Sequence, residues 1–218
     1  TYGVRSLGLD LPSKEVSIDP YILGVWLGDG DKTNSRIAIN IKDVEIIERL
    51  KKFCKSNDFS YHVGKTSSVN CIVFNIKRPE RQQNINGRIC SNKFIDNLKH
   101  YDLKNNKHIP LEYLNNSIEN RLQLLAGLLD TDGTLMHRNN SYTYKISSSR
   151  EELANQIVFL ARSLGFKSRV KHRIIAKKYE AWSVVVSGDV SKIPCIISRK
   201  KVPKNYKRDY AEHINKID

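Results

Sequence analysis

ILGVWLGDG, residues 22–30, and LAGLLDTDG, residues 125–133, are two apolar stretches that end alike, in Asp-Gly. Each carries a small residue at its third and seventh positions: Gly24 and Gly28 in the first, Gly127 and Thr131 in the second. Residues four apart share one face of a helix, and small residues there let two helices approach closely. Packing the two faces together would bring Asp29 and Asp132 side by side. Taken alone, either stretch reads as an apolar helix closed by a left-handed glycine, a common stop signal. Two copies, each followed by a further repeated element, call for more than that.

The further element is IAINIKDVEIIERLKKFCKSNDFSYHV, residues 37–63, against YKISSSREELANQIVFLARSLGFKSRV, residues 144–170. Aligned without a gap, Ile39 meets Ile146, Ile46 meets Leu153, Leu50 meets Ile157, Phe53 meets Leu160, Phe59 meets Phe166 and Val63 meets Val170. Ile37, Ile39 and Ile41 alternate with Ala38, Asn40 and Lys42, the period of a strand with one buried face. Ile46, Ile47, Leu50, Phe53 and Cys54 then form the stripe of an amphipathic helix. Asp43 is expected to cap that helix; in the second copy Ser149 and Glu152 have capping-box spacing and Gly165 is placed as the stop. Further strands are expected at Val69–Ile76 and Trp182–Ser187. The pattern predicts an α/β (α+β) duplication about a pseudo-two-fold axis: a lead over 1–19 that matches nothing assignable, a first repeat over 20–116, and a second over 117–218 with a basic C-terminal segment.

Charge points to the partner. The 218 residues hold 37 Lys and Arg against 23 Asp and Glu, a formal net charge of +14. Nucleic acid is the commonest partner of such a balance, because each neutralised phosphate releases condensed counterions. The cations are spread through segments that read as folded, which favours a basic surface over a disordered arm; the exception, RKKVPKNYKR at 199–208, reads as a localisation signal or phosphate contact. Four cysteines without CxxC spacing suggest neither zinc nor redox chemistry. No apolar run reaches a membrane span and no secretory signal is present, so the expected place is intracellular, in the nucleus or wherever target DNA lies.

Two carboxylates on a symmetry axis repel unless a cation lies between them. Mg²⁺ resolves that, since it takes oxygen ligands, waters and phosphate oxygens. The two motifs resemble the paired signatures of the LAGLIDADG homing endonucleases: LAGLLDTDG closely, ILGVWLGDG more loosely but similar to the first motif of intein-encoded members. The resemblance covers roughly residues 20–205. It implies two αββαββα-type repeats with DNA-binding antiparallel sheets, motif helices that form the interface between halves, and Asp29 and Asp132 as metal ligands, with backbone carbonyls near the motif ends. It implies two or more Mg²⁺ ions, with Mn²⁺ able to substitute, and double-strand cleavage by a single chain acting as a monomer.

Intein-encoded members also carry a lysine before a proline in each half. Lys107-His108-Ile109-Pro110 and Lys200-Lys201-Val202-Pro203 fit that pattern. The resemblance therefore implies Lys107 and Lys200 as catalytic, with Lys201 a substitute for Lys200. Asp31 and Asp130, which flank the motif acids, read as structural or outer-shell groups and not as direct ligands. DNA contacts are expected from Arg36, Asn40 and Lys42 in the first half, from Lys145, Arg169, Lys171 and Arg173 in the second, from Arg78, Arg81 and Arg88 in a polar loop, and from Lys201. A twisted antiparallel sheet can lie in the major groove, where base edges are distinguishable. The start at Thr1, with no splicing Cys or Ser there and no terminal His-Asn, reads as the endonuclease portion alone or a free-standing relative. The alternative is a cleavage-inactive DNA-binding protein or an RNA maturase of the same fold; a structural basic domain would leave the paired acids and lysines unexplained.

Overall fold

Pro20 sits in the first turn of a helix, where its missing N–H costs nothing, and Asp19 caps that helix by accepting from the Ile22 amide at 3.1 Å. The computed structural model, which describes residues 8–79, 91–139, 141–175 and 178–203, thus opens on α1 (Pro20–Asp29). Its pseudo-symmetric counterpart α5 (Ile118–Asp132) is capped by Ser117, which accepts from the Asn120 amide. Every residue from Tyr21 to Leu27 is buried, as is Leu124 to Asp130. Helices apolar on all sides belong at the centre of a fold, and these two form its hub, side by side.

The hub is built on backbone contact. A Cβ added to Gly24 would lie 2.3 Å from the Leu124 carbonyl oxygen, and one on Gly127 would lie 2.2 Å from that of Tyr21. One turn later a Cβ on Gly28 would meet the Thr131 hydroxyl at 2.1 Å. The small residues expected to face each other do so. Gly30 and Gly133, however, are extended and not left-handed (φ −72° and −81°). They are glycine because a side chain would strike the last carbonyls of their own helices, Trp26 O at 2.3 Å and Leu129 O at 2.4 Å.

Around the hub, the first half runs β1 (Arg36–Asn40), α2 (Val44–Ser56), β2 (Ser60–Lys65), β3 (Cys71–Lys77), α3 (Lys93–His100) and the single turn α4 (Leu111–Leu114). The second runs β4 (Gly133–Arg138), β5 (Ser141–Ser148), α6 (Glu151–Ser163), β6 (Lys167–Ile175) and β7 (Tyr179–Ser187), then two 3-10 turns. Both sheets are antiparallel, ordered β1-β3-β2 and β4-β5-β7-β6. The strand equivalent to β4 is reduced in the first half to one bridge, Gly30 to Ile37. Ile37, Ile39, Phe74 and Ile76 of one sheet, and Tyr144, Ile146, Val184 and Val186 of the other, turn inward to a shared core. Among the described residues no helix is long and apolar enough to cross a membrane, and Cys54, Cys71 and Cys195 are free thiols.

Two caps differ from expectation. The N-cap of α6 is Arg150, without a side-chain bond, and no Ser149–Glu152 box forms; Ser148 Oγ instead accepts from the Arg150 amide at 3.0 Å. Asp43 occupies the N-cap of α2, yet its carboxylate is drawn away by the Arg199 guanidinium. Gly165 is left-handed (φ 86°), as a helix stop should be.

The segment before α1 spans both halves. The Leu9 amide bonds Ser163 O at the end of α6, while the Ser17 and Ile18 amides reach the Tyr101 and Tyr113 hydroxyls in the first half. Arg121, fully buried on α5, fastens it by donating to Leu9 O, Asn116 O and both oxygens of Ser163.

Candidate active site at the paired helix ends

Asp29 and Asp132 are the last residues of α1 and α5. A helix C-terminus concentrates partial negative charge on its unpaired carbonyls, so a carboxylate there is poorly placed and two together are worse. A Cβ on Gly28 would stand 3.4 Å from Asp132 Oδ2, which puts the second acid against the backbone just before the first. Burial, and then the Asp132 charge, push the Asp29 carboxyl up to about 6 against the pull of Lys107 and Lys200. Asp132 is the more open to solvent, yet the protein packed on its inner side raises it as well, and the same two lysines oppose this.

The lysines sit where the helix dipole favours cations. Lys107 Nζ donates to Gly28 O at 3.1 Å and lies 5.2 Å from the centre of the Trp26 ring. Lys200 Nζ donates to three carbonyls at the end of α5: Leu129 at 2.9 Å, Asp130 at 2.6 Å and Thr131 at 2.8 Å. An ammonium has three donors, so Lys200, only 6% exposed, is saturated by backbone. Desolvation lowers the pKa of both lysines. Lys201, by contrast, is exposed; of the two neighbours it is Lys200 whose ammonium reaches the end of α5.

Asp130 points the other way and is fully buried. It accepts from the Tyr21 hydroxyl at 2.9 Å and from the Ile196 and Ile197 amides at 2.8 and 3.4 Å, which docks the segment leading to Lys200 onto the hub. Asp31 folds back on Thr33, accepting from its amide and hydroxyl. Both have the structural environment expected of them. Arg150 and Gln156 were not singled out by the sequence. Arg150 donates to Asn106 Oδ1 at 2.7 Å and Asn105 O at 3.3 Å, and Gln156 Oε1 accepts from the Ile109 amide at 2.6 Å. The signal was present in the repeat: Arg150 aligns with Asp43, and Gln156 with Arg49. An open cavity of about 220 Å³ lies beside this cluster, lined by Gly28, Lys107, Asp132 and the Ser147–Arg150 turn.

Among the described residues no group of three or more His, Cys, Asp or Glu gathers as a metal cluster. What the chain does offer is two carboxylates and the carbonyl oxygens at two helix ends. That donor set is all oxygen and incomplete, which fits Mg²⁺, an ion that keeps waters and takes phosphate oxygens as its remaining ligands.

The expected DNA-contacting residues fall on sheet faces as follows. Arg36 and Asn40 lie on one face of β1, exposed, with Lys42 in the turn that follows. In the second sheet Arg169, Lys171 and Arg173 alternate along β6 and pair across with Val185, Ser183 and Ala181. Lys145 pairs with Val185 from the other side, and so shares that face. Lys167 and Arg138 join it by register. Arg78 is exposed just beyond β3. Arg81 and Arg88 lie outside the described residues, as does the basic stretch beyond 203.

Comparison with known proteins agrees with this architecture. Residues 108–205 match the family described as Homing endonuclease. The chain is 31% identical over 181 residues to the replicative DNA helicase DnaB of Mycobacterium intracellulare, covering 83% of this chain and 25% of that protein. It is 26% identical over 183 residues to the homothallic switching endonuclease of Saccharomyces cerevisiae, covering 75% of this chain and 30% of that one. The chain thus spans less than a third of the length of either relative. Among solved structures it is similar in fold to mesophilic variants of the homing endonuclease I-DmoI (TM-score 0.51, 12% identity, 80% of this chain and 84% of that one). It is similar also to I-DmoI in complex with DNA and Mn (TM-score 0.50, 11% identity, 78% and 89%).

Proposed function

We propose that this chain, which belongs to the LAGLIDADG homing endonuclease family, makes site-specific double-strand breaks in DNA by Mg²⁺-dependent phosphodiester hydrolysis. One observation carries the reading: two carboxylates, each ending one of two helices in backbone contact, with one lysine seated on each helix end. The quasi-symmetric pair suits a single chain, acting as a monomer, to two phosphates on opposite strands. Asp29 and Asp132, with carbonyl oxygens at the helix ends, would hold divalent ions that lower the pKa of bound water and stabilise the attacking and leaving oxygens. Asp29 must lose its proton to do so. Lys107, with two donors free of backbone, is placed to meet charge that develops on a phosphoryl oxygen. Lys200, saturated by carbonyls, holds its helix end and must give up one bond to do the same.

The outward sheet faces supply recognition. Arg36, Asn40, Arg169, Lys171, Arg173 and Lys145 would address the major groove and its phosphates, with Lys42, Arg78, Arg81, Arg88 and Lys201 at the margins. The two halves present different polar residues, so the site is long and asymmetric.

The test is cleavage of a randomised duplex library with Mg²⁺ or Mn²⁺ by the intact chain, by Asp29→Asn and by Asp132→Asn. Specific double-strand cuts, lost in both variants, are expected. Tight binding without cutting under either metal would overturn the reading and leave a DNA-binding or RNA maturase role.

A further inference from the structure

Each lysine belongs to one repeat, and the segment that carries it, bonded within that repeat by Asn105 N to Lys32 O or by Tyr144 Oη to Lys200 O, is fastened to the other repeat as well. The segment Asn105–Ile109, which carries Lys107, is fastened to the N-terminal half of α6 in the second repeat, at its N-cap Arg150 and at Gln156. Arg150 donates to Asn106 Oδ1 (2.7 Å) and Asn105 O (3.3 Å), and the Ile109 amide donates to Gln156 Oε1 (2.6 Å). The turn that carries Lys200 is fastened to the start of α2 in the first half. There the Ser198 amide and hydroxyl donate to Glu45 Oε1 at 3.0 and 2.8 Å, and the Arg199 guanidinium pairs with Asp43. Asp43 and Arg150 occupy the same place in the aligned repeats, and Asn106 and Arg199 each immediately precede their lysine. The same contact is therefore made twice, with the polarity of the partners changed.

We propose that Arg150 with Gln156, and Asp43 with Glu45, are positioning residues that set the lysine of the opposite repeat, so that each latch governs cutting of one DNA strand. This rests on the nuclease reading above. Arg150 lines the cavity beside Lys107 and Asp132, yet its guanidinium donates to Asn105 O and Asn106 Oδ1; the other three bond the lysine-bearing segments. They act by fixing the five-residue segment on which an ammonium must stay within hydrogen-bond reach of a helix end. Misplacing such a group by about an ångström slows the reaction far more than the energy of one hydrogen bond would suggest.

The experiment uses the full chain and a duplex that it cuts, with each strand labelled separately. Arg150→Met is expected to slow one strand roughly tenfold and accumulate a nicked product. Asp43→Asn with Glu45→Gln is expected to slow the other strand by a similar factor. Exchanging the partners, Asp43→Arg with Arg199→Asp, restores the balance, which a merely destabilised protein would not do. Amide hydrogen exchange is read in parallel: the Ile109 amide gains exchange in Arg150→Met, and the Ser198 amide in the Asp43/Glu45 variant, each without the other. Should Arg150→Met fold poorly, Asn106→Ala removes the same hydrogen bond from the opposite side. Equal slowing of both strands, no slowing, or exchange that rises at both segments together overturns the proposal. A parent chain that cuts nothing sinks the nuclease reading instead, and the exchange pattern then decides the latches alone.

Discussion

The substitution Gly24→Ala tests the hub directly. An added Cβ would lie 2.3 Å from Leu124 O, 2.9 Å from Leu128 N and 3.0 Å from Gly127 Cα, and ordinary contact begins at 3.4 Å. All three neighbours are backbone of a central helix, so relief requires α1 and α5 to part by roughly 1 Å in an interior packed like a crystal. Overpacking of this kind costs about 1–3 kcal/mol, against a gain of about 1 kcal/mol from replacing a helical glycine by alanine. A net loss of up to about 2 kcal/mol follows, measurable by urea unfolding. The effect on cleavage is expected to be larger, on the order of a hundredfold at saturating metal, because the same movement separates Asp29 from Asp132. Gly28→Ala separates backbone from side-chain causes. Its clash is with the Thr131 side chain, Oγ1 at 2.1 Å and Cβ at 2.8 Å, so Thr131→Gly should rescue it, whereas no truncation in α5 should rescue Gly24→Ala. Gly24→Ala with parental stability and parental cleavage would refute the account of the hub.

Other expectations follow from the charges. Asp29 titrates near 6 in the folded chain against an ordinary 3.8; a raised folded pKa means stability is fullest at low pH and is lost as pH rises through 6, by up to roughly 3 kcal/mol. Asp29→Asn should therefore raise the Tm of metal-free protein at pH 8 and flatten its dependence between pH 4 and 7, while Mg²⁺ affinity in the parent rises with pH over the same window; a Tm unchanged at pH 8 would count against the buried acid. Lys200→Met strips the donors from three carbonyls and should cost about 3 kcal/mol, against about 1 kcal/mol for Lys107→Met with its single carbonyl; equal losses by denaturant titration would deny the asymmetry. Arg121→Met removes the arginine donor from the carbonyls of Leu9 and Asn116 and one of the two donors to Ser163 O, whose other is the Leu9 amide, and a loss of about 3 kcal/mol with faster exchange at the Leu9 amide is expected.

Much of this site was legible because it is written in short-range periodicity and then repeated. The four-residue spacing of Gly24 and Gly28, and of Gly127 and Thr131, names a helix face without reference to anything distant. Lys107 and Lys200 were singled out by the family resemblance, on a Lys-x-aliphatic-Pro pattern that occurs in both halves, and both reach the helix ends. What the sequence hid depends on partners far apart in the chain. Asp43 looks like a cap locally, but Arg199, 156 residues away, competes with the helix amides for its carboxylate and takes it. Ser149 and Glu152 have capping-box spacing, but the chain enters α6 one residue later, with Ser148 bonding the Arg150 amide. Arg121 reads as one more surface cation in a basic chain; only the fold shows it wholly enclosed, with carbonyls and a hydroxyl for partners.

The latch contacts also decide who may pair with whom. Were two second repeats to meet, each Arg150 would face an Arg199, and like charges would stand where an ion pair is needed. Were two first repeats to meet, each Asp43 would face Asn106, a desolvated carboxylate without a cation. Only the unlike pairing satisfies both positions. At these two contacts the duplicated halves have thus diverged so that unlike pairing is favoured, and a domain-swapped exchange between two copies of the chain would preserve them only by matching a first half with a second.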